Sequence, residues 1–337
     1  MTTPYRIFGI ELSPYSVKVR SYFRYKRIPH EWVVRQLGNM KEFQHYAKLP
    51  LIPLVITPEG VGLQDSTPIL EEMERRFPEP SIEPRDSALG FLSALIEEYA
   101  DEWGNKPMFH FRWWYEPDQK SAAERIALAN LPGAPDDAVQ KLASQLEQRM
   151  VLRLRFVGSN AETKEQIEAS FRRQLALLEP HFSARPYLFG ARPCLADFGL
   201  FAQLYECSID PTPGALLRET APCVAAWIER MLAPTALGDF EPWSALARTL
   251  EPLLAQEVAG LFLPWSTANA KALAAGDAEF EVQLEGRPFR QQTQKYHARS
   301  LSVLRDRYAG LTERCALDAV LERTGCLSWL GTAGSSA

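Results

Sequence analysis

The order of short segments in residues 1–84 constrains the fold more than any other feature of this chain. Four runs rich in β-branched and aromatic residues, each bounded by turn residues, predict strands. These runs lie at residues 5–12, 30–35, 53–57 and 61–65. Helical patterns begin after Ser16, at Met40 and at Thr67. The resulting order, βαβαββα, predicts a small α/β domain over residues 1–84.

The pattern changes after the proline-marked segment 77–84. Strand signals become scarce, and apolar residues recur every three or four positions over 89–103, 167–182 and 195–204. This spacing predicts amphipathic helices. We therefore expect an all-helical domain over residues 87–250, with a partly helical insertion near residues 116–165. For the extension over residues 251–337, the sequence predicts helices and a short hairpin but indicates no role.

Composition argues against several partners. The net charge is −5 and no basic stripe stands out, so we expect no nucleic-acid partner. No apolar run approaches the roughly 20 residues that span a bilayer, and the start of the chain lacks a signal-peptide pattern, so we expect no membrane partner. The five cysteines form no CxxC pair, which favours reduced thiols and a cytoplasmic location. The five histidines lack zinc-ligand spacing, so we expect no metal.

The segment Ser13-Pro14-Tyr15-Ser16 connects the first predicted strand to the first helix. A hydroxyl at this position lies beside the free N–H groups of a helix start. Such a place suits an anion, including a thiolate. Both Ser13 and Ser16 supply a hydroxyl, and the sequence does not separate them. A plain β-to-α turn has the same composition, so this segment alone does not define a site.

Two further segments of the same domain have features of a binding site. Pro53 follows Ile52 at the start of a strand, and a fixed bend there, with a cis bond possible, turns the backbone of Ile52 toward a cleft. An extended peptide can pair with that backbone. Asp65 can bind an ammonium group, while Ser66 and the following helix start can hold a carboxylate. An ordinary strand start and an ordinary helix cap are the alternatives.

Together, the three segments resemble those of the glutathione transferase superfamily. The stretch SPYSVKVRSYFRYKRIPHE, Ser13 to Glu31, is similar without gaps to the omega and tau pattern, in which Cys or Ser precedes Pro and an aromatic residue. Ile52-Pro53 resembles the family's Val/Ile-Pro with its cis proline, and the segment 63–69 resembles its Glu/Asp-Ser segment. Leu195-Ala196-Asp197 resembles the buried helix start of the second domain. The resemblance covers roughly residues 5–250.

This resemblance implies a thioredoxin-like N-terminal domain, an all-α C-terminal domain, a homodimer and a role in detoxification. It implies that glutathione is the co-substrate and that Ser13, the catalytic residue, donates its hydroxyl to the glutathione sulfur. Ile52 would pair with the cysteinyl backbone, and Asp65 and Ser66 would hold the γ-glutamyl end. The implied glutathione-binding residues are Tyr15, Ile52, Pro53, Asp65 and Ser66.

Two positions depart from the family pattern. Leu51 stands where many relatives have a lysine for the glycyl carboxylate, so either another cation, such as Lys48 or Arg35, serves there or that end of glutathione binds weakly. Cys194 stands where relatives have the Ser or Thr that caps a helix against Asp197. Sulfur is a poorer acceptor than oxygen, which weakens the expected cap.

The second substrate is expected against the first helices of the second domain. Aromatic residues are dense over 99–114, and an aromatic wall suits an apolar electrophile. Arg112 lies among these aromatic residues in the sequence and could bind an anionic group of the substrate. Helix–helix core is the alternative use of the same stripe. The predicted pocket residues are Tyr15, Trp103, Phe109, Arg112 and Trp113.

We therefore expect an enzyme that adds glutathione to a small hydrophobic electrophile or, as a lyase, removes it from a conjugate. Serine cannot form a mixed disulfide, which disfavours thiol reduction. Isomerase, dehalogenase and peroxidase reactions use the same bound thiolate, and the sequence does not distinguish them. A non-catalytic binding or scaffold protein on the same fold is the alternative, motivated by Leu51 and the extension.

Overall fold

The first part of the computed structural model, which describes residues 3–331, is a four-stranded sheet with three helices. The strands are β1 (Tyr5–Gly9), β2 (His30–Val34), β3 (Leu54–Ile56) and β4 (Gly62–Gln64). The helices are α1 (Pro14–Tyr25), α2 (Met40–Tyr46) and α3 (Ser66–Arg76). The element order is βαβαββα, which confirms the predicted α/β domain.

The sheet has the order β2-β1-β3-β4. Strand β1 pairs in parallel with β2 and antiparallel with β3, and β3 pairs antiparallel with β4. A parallel pair requires a crossover, which α1 provides. Ile7 and Phe8 on β1 are fully buried, so opposite faces of the central strand both pack against other elements.

Helices make up the second part of the chain. They are α4 (Ser87–Tyr99), α5 (Asn105–Trp114), α6 (Glu116–Asn130), α7 (Asp136–Val151), α8 (Lys164–Phe182), α9 (Leu195–Ser208), α10 (Pro211–Thr220), α11 (Pro222–Met231) and α12 (Trp243–Leu253). Helices α6 and α7 occupy the region of the predicted insertion and pack against each other around Ala123, Ala127 and Leu146. This helical part confirms the expected fold class.

Helix α9 is central to the second part and is capped despite Cys194. The Asp197 carboxylate accepts hydrogen bonds from the backbone N–H of Cys194 at 2.9 Å and of Leu188 at 2.9 Å. The Cys194 thiol donates to the same carboxylate at 3.2 Å, and Trp227 Nε1 donates to it at 3.1 Å. The Cys194 sulfur also accepts from the backbone N–H of Asp197, so the two residues cap the helix start reciprocally, as a capping box does.

The extension packs on the helical part as a continuation of its core. It contains α13 (Leu263–Ala275), the hairpin of β5 (Glu279–Leu284) and β6 (Arg287–Gln292), α14 (Lys295–Ala309), α15 (Cys315–Arg323) and α16 (Leu327–Leu330). Trp265 on α13 and Phe289 on β6 are buried and lie against Trp103, with ring centroids 5.9 and 5.6 Å away. The extension is thus part of one hydrophobic core with the preceding helices.

Two π-helical turns interrupt the helices at Ala100–Gly104 and Leu254–Phe262. They widen the backbone where α4 passes into α5 and where α12 passes into α13. No helix within residues 3–331 is both long and apolar enough to cross a membrane.

Candidate functional site

Ser13 is the N-cap residue of α1. Its backbone is extended, and its hydroxyl oxygen accepts hydrogen bonds from the Ser16 hydroxyl at 2.9 Å and from the Ser16 backbone N–H at 3.4 Å. Ser16 is fully buried, whereas 8% of Ser13 is exposed. Because Ser16 donates to Ser13, the Ser13 proton is directed elsewhere and is available to a ligand.

The close approach of α1 to the end of β1 depends on Gly9. A Cβ at Gly9 would lie 2.8 Å from the Ser16 Cβ and 2.6 Å from the ring of Trp32. Contacts this short require displacement of the neighbouring atoms. Gly9 therefore allows the start of α1, with Ser13 and Ser16, to pack against the strand.

Ile52 presents unpaired backbone groups beside a cis bond to Pro53. Within residues 3–331, the backbone N–H and C=O of Ile52 make no hydrogen bond. The preceding loop is held by the Gln64 amide, which accepts from the backbone N–H of Lys48 at 2.7 Å and donates to the carbonyl of Leu51 at 2.7 Å. The sequence analysis gave Gln64 no role, although an amide next to the Asp-Ser pair can bridge a loop in this way.

Asp65 connects β4 to α3 and has a left-handed φ of 77°. A non-glycine residue in this region is held there by its surroundings, which makes it a candidate for function. Ser66 follows at the start of α3 and is buried. The Asp65 carboxylate accepts hydrogen bonds from the Tyr296 hydroxyl, at 2.9 Å and 2.8 Å to its two oxygens. Sequence reasoning missed Tyr296 because a separation of 231 residues hides the contact.

A buried ion-pair network joins the two domains behind this turn. The Lys18 ammonium donates to Thr67 Oγ1 at 3.1 Å and to Asp101 Oδ2 at 2.7 Å, and it also pairs with Glu97. Burial raises the pKa of Asp101 to about 7, although the positive charge of Lys18 opposes the shift. Tyr15 bridges the same interface, because its hydroxyl donates to the backbone carbonyl of Asp101 at 3.0 Å.

A mostly apolar cavity of about 360 Å³ lies beside the turn that carries Ser13. The strand-to-helix turn lines one side of it, and α6 and α9 line the others. Tyr205 on α9 donates a hydrogen bond to Glu11 at 2.5 Å, which ties α9 to the turn. The lining residues are Ile10, Glu11, Leu12, Arg125, Ile126, Leu128, Ala129, Tyr205 and Ile209. None of the α6 residues was predicted for the pocket, because nothing in the sequence of that helix marks it as facing the turn.

Most of the residues predicted for the second-substrate pocket lie elsewhere. Trp103 and Trp113 are each 1% exposed, and Trp103 Nε1 donates to Ser170 at 2.9 Å. Phe109 is half-buried and packs against the Trp113 ring. The wall predicted from α5 is therefore corrected: the aromatic face of that helix packs into the core, and neither tryptophan lines the cavity.

Arg112 is likewise unavailable to a ligand. Its guanidinium donates to Glu206 at 2.7 Å and to Asp210 at 2.6 Å, and only 3% of the residue is exposed. It also donates to the carbonyl of Leu12 at 3.3 Å. Two carboxylates thus satisfy the charge of Arg112, which corrects its expected role as a receptor for an anionic substrate. Its position fixes the turn before Ser13 instead.

Leu51 marks the end of the site where the glycyl carboxylate of glutathione is expected. No cation stands at position 51 itself, but Arg35 and Lys48 belong to the same domain. Leu51 is 61% exposed. Arg35 is half-buried over the ring of Phe43, 5.1 Å from its centroid, and its Nε has no partner within residues 3–331. Burial lowers the pKa of Arg35. Lys48 is exposed. Among the described residues, no group of His, Cys, Asp and Glu side chains is arranged to hold a metal ion.

Two family models, which together cover less than half of the chain, support the glutathione S-transferase superfamily. The model of the glutathione S-transferase N-terminal domain matches residues 7–81, and that of the C-terminal domain matches residues 161–230. The search of curated proteins gave no significant match.

Several solved structures are similar to this chain at low identity. The β-etherase LigF from Sphingobium sp. strain SYK-6 is 18% identical over 75% of this chain and 100% of its own, with a TM-score of 0.47. The tau-class glutathione S-transferase MiGSTU from mango is 17% identical over 75% and 100%, with a TM-score of 0.44. Glutathione transferase GSTFuA3 from Phanerochaete chrysosporium is 14% identical over 69% and 98%, with a TM-score of 0.48.

Proposed function

We propose that the protein is a glutathione-dependent transferase or lyase in which Ser13 stabilises the glutathione thiolate. The observation that carries the proposal is the hydroxyl arrangement at the start of α1. Ser16 donates to Ser13 at 2.9 Å, so the Ser13 proton can be donated to a sulfur held in front of the helix. The matches to the two glutathione S-transferase domain models support glutathione as the thiol.

The energetics of this arrangement are sufficient. A thiol with a pKa of about 8.5 needs a downward shift of roughly 2 pKa units to be mostly ionised at neutral pH, which corresponds to about 2.7 kcal/mol. A hydrogen bond to a charged group contributes about 1.5–3 kcal/mol. The helix N-terminus contributes about 0.3–1 kcal/mol more. One serine at this turn can therefore ionise the thiol without a metal or a histidine.

The rest of glutathione has complementary groups along the same edge. The free N–H and C=O of Ile52 match the backbone of an extended cysteinyl residue. Asp65 matches the γ-glutamyl ammonium, and Ser66 at the start of α3 matches its carboxylate. Of the two cations considered for the glycyl carboxylate, we favour Arg35, because its Nε is buried without a partner.

The second substrate is placed in the apolar cavity beside Leu12. Its lining of Ile126, Leu128 and Ile209 suits a small hydrophobic electrophile. In the transfer direction, the thiolate sulfur forms a bond to the electrophilic carbon, and the leaving group departs with its electron pair. In the lyase direction, a conjugate occupies the same two subsites. The carbon–sulfur bond breaks with its electron pair going to the sulfur, and the neighbouring carbon loses a proton to water, which leaves a carbon–carbon double bond. A homodimer, a cytoplasmic location and a role in detoxification belong to this proposal.

A non-catalytic binding or scaffold protein is the second candidate. Two observations favour it: Tyr296 already binds the Asp65 carboxylate, and Leu51 leaves the glycyl end without the lysine common in relatives. A protein of this kind would keep the fold and bind glutathione weakly or not at all.

The test begins with a calorimetric titration of the full chain with glutathione, followed by turnover of a chromogenic aryl halide. We expect binding and glutathione-dependent turnover, with an apparent pKa of the bound thiol below its solution value. Replacement of Ser13 by Ala should raise that pKa, and Ser13→Thr, which keeps the hydroxyl, should largely preserve it. Binding without turnover would favour the scaffold candidate, and full activity of Ser13→Ala would refute the mechanism.

A further inference from the structure

Helix α14 of the extension lies across the start of α3 and along α4. Its side chains form a series of polar contacts with residues of the two domains. Tyr296 donates to both oxygens of Asp65, at 2.9 and 2.8 Å. Further contacts join His297 to Glu102, Ser300 to Glu98 and Arg307 to Glu71. One helix of the extension therefore fastens the junction between the two domains at the side of Asp65.

The contacts border a cavity of about 240 Å³. Acidic side chains outnumber basic ones in its lining: Asp65, Glu71, Glu98, Asp101 and Glu102 line it together with Arg299 and Arg307. Asp101 is only 8% exposed, and its Oδ1 has no hydrogen-bond partner within the described part of the chain, although Oδ2 is held by Lys18 at 2.7 Å. A buried carboxylate oxygen without a donor, beside an acidic cavity, indicates that a cationic donor group fits there.

We propose that Tyr296 determines the affinity and specificity of the thiol site, because its hydroxyl occupies the position on Asp65 that a ligand ammonium must take. This inference rests on the proposed function. A hydroxyl that contacts both oxygens of one carboxylate fills the space between them, so the ammonium and the phenol cannot both bind there. The carboxylate is the charged acceptor in both cases, but the ammonium brings a positive charge of its own and forms the stronger bonds. Ligand binding therefore displaces Tyr296 and loosens the first turn of α14.

Competition of this kind lowers the apparent affinity for the ligand. The measured dissociation constant is the intrinsic constant divided by the fraction of molecules in which Asp65 is free. Tyr296 is 55% exposed, so water replaces part of the lost hydrogen bond when the phenol leaves. Removal of the hydroxyl should therefore tighten glutathione binding by about tenfold, the low end for a hydrogen bond to a charged group. For a ligand without a free ammonium, removal of the hydroxyl should leave the affinity unchanged, because such a ligand does not bind Asp65.

The experiment compares wild type, Tyr296→Phe and Tyr308→Phe by calorimetric titration with glutathione and with N-acetylglutathione. Tyr308 lies on the same helix and loses a bond of the same type, since its hydroxyl donates to Asp318 at 2.8 Å, away from the cavity. We expect about tenfold tighter glutathione binding for Tyr296→Phe only, and no gain for the acetylated ligand. Hydrogen exchange of residues 295–300 in wild type should accelerate when glutathione saturates the protein.

The outcomes separate this inference from the function on which it rests. Binding by all three proteins with unchanged or weaker affinity in Tyr296→Phe overturns the inference alone. So does an equal gain in Tyr308→Phe, because that would reflect general loosening of α14. Unchanged exchange on saturation also overturns it. No binding by any of the three proteins overturns the proposed function together with the inference, whereas binding by Tyr296→Phe alone supports both.

Discussion

The two walls of the proposed site are built in opposite ways. The wall from the first domain consists of three short segments, around Ser13, Ile52 and Asp65, each of which places its functional groups through local turn geometry. The opposite wall comes from helices far apart in the chain, such as α6 and α14. Local geometry can be predicted from a few neighbouring residues, whereas the second wall depends on how whole helices pack.

The two walls also differ in whether their polar groups are already paired within the protein or are open to a ligand. Arg112 lies in the helical part and is fully paired with Glu206 and Asp210. In the first domain, the Nε of Arg35 has no partner within residues 3–331, and the backbone of Ile52 is open. We therefore expect changes to the paired charges of the helical wall to affect stability first, and changes to the open groups of the first-domain wall to affect ligand binding first.

The largest expected effect comes from Arg112→Met. Removal of the guanidinium leaves Glu206 and Asp210 buried with less positive charge, which should lower the free energy of unfolding by about 3–5 kcal/mol. Urea unfolding followed by circular dichroism measures the change. The control is Lys120→Met, which breaks the exposed pair with Glu116 and should cost less than about 1 kcal/mol. If the Arg112→Met protein is as stable as wild type but binds the electrophile weakly, Arg112 contacts the second substrate and does not serve the fold.

The next largest effect is expected for Ser13→Ala. Loss of a hydrogen bond to a charged sulfur, about 1.5–3 kcal/mol, should lower kcat/KM by roughly 10- to 150-fold. The pKa of the bound thiol should rise, so the loss should be larger below pH 7 than at alkaline pH, where even a free thiol with a pKa of about 8.5 ionises. Rate profiles against pH measure this, with Ser13→Thr as the variant that retains hydroxyl and cap. A uniform loss at every pH would contradict thiolate stabilisation.

The sequence predicted the short elements of the first domain and the hairpin of the extension well, because their signals are local. Strand and helix patterns predicted the order βαβαββα, and the alternation of Phe280, Val282 and Leu284 predicted the hairpin of β5 and β6. The Pro53 position agreed with the cis bond in the structure. Each of these features depends on residues within a few positions of one another.

The helical wall was predicted poorly because burial is not a local property. Trp103 lies in the π-helical turn before α5 and Trp113 lies on α5, and the sequence does not say which side of this stretch meets another helix. The extension resolves this question, since Trp265 and Phe289 cover Trp103. The contact of Tyr296 with Asp65 was equally hidden, because no pattern relates two residues separated by most of the chain.

An effect of intermediate size, on KM for the second substrate, is expected if α6 belongs to the helical wall. Ala129 is half-buried and lines the apolar cavity, so Ala129→Phe should fill part of its 360 Å³. We expect KM for an apolar electrophile to rise by about tenfold, near 1.4 kcal/mol, with unchanged affinity for glutathione. Steady-state kinetics with both substrates varied measures the two effects separately. Ala138→Phe on α7, outside the cavity lining, is the control, and an equal effect there would indicate a general disturbance of the insertion.

The smallest expected effect concerns the glycyl end of the first-domain wall. Leu51 is 61% exposed, so Leu51→Lys should fold normally and place a cation where the resemblance predicts the glycyl carboxylate. An exposed ion pair contributes about 0.2–1 kcal/mol, which corresponds to glutathione binding about 1.5- to 5-fold tighter. Raised ionic strength should reduce this gain, because salt screens exposed charges. Leu49→Lys, at a neighbouring exposed leucine, is the control because it adds the same charge at a different position. An equal gain in affinity there would mean that any added cation suffices and that Leu51 does not face the ligand.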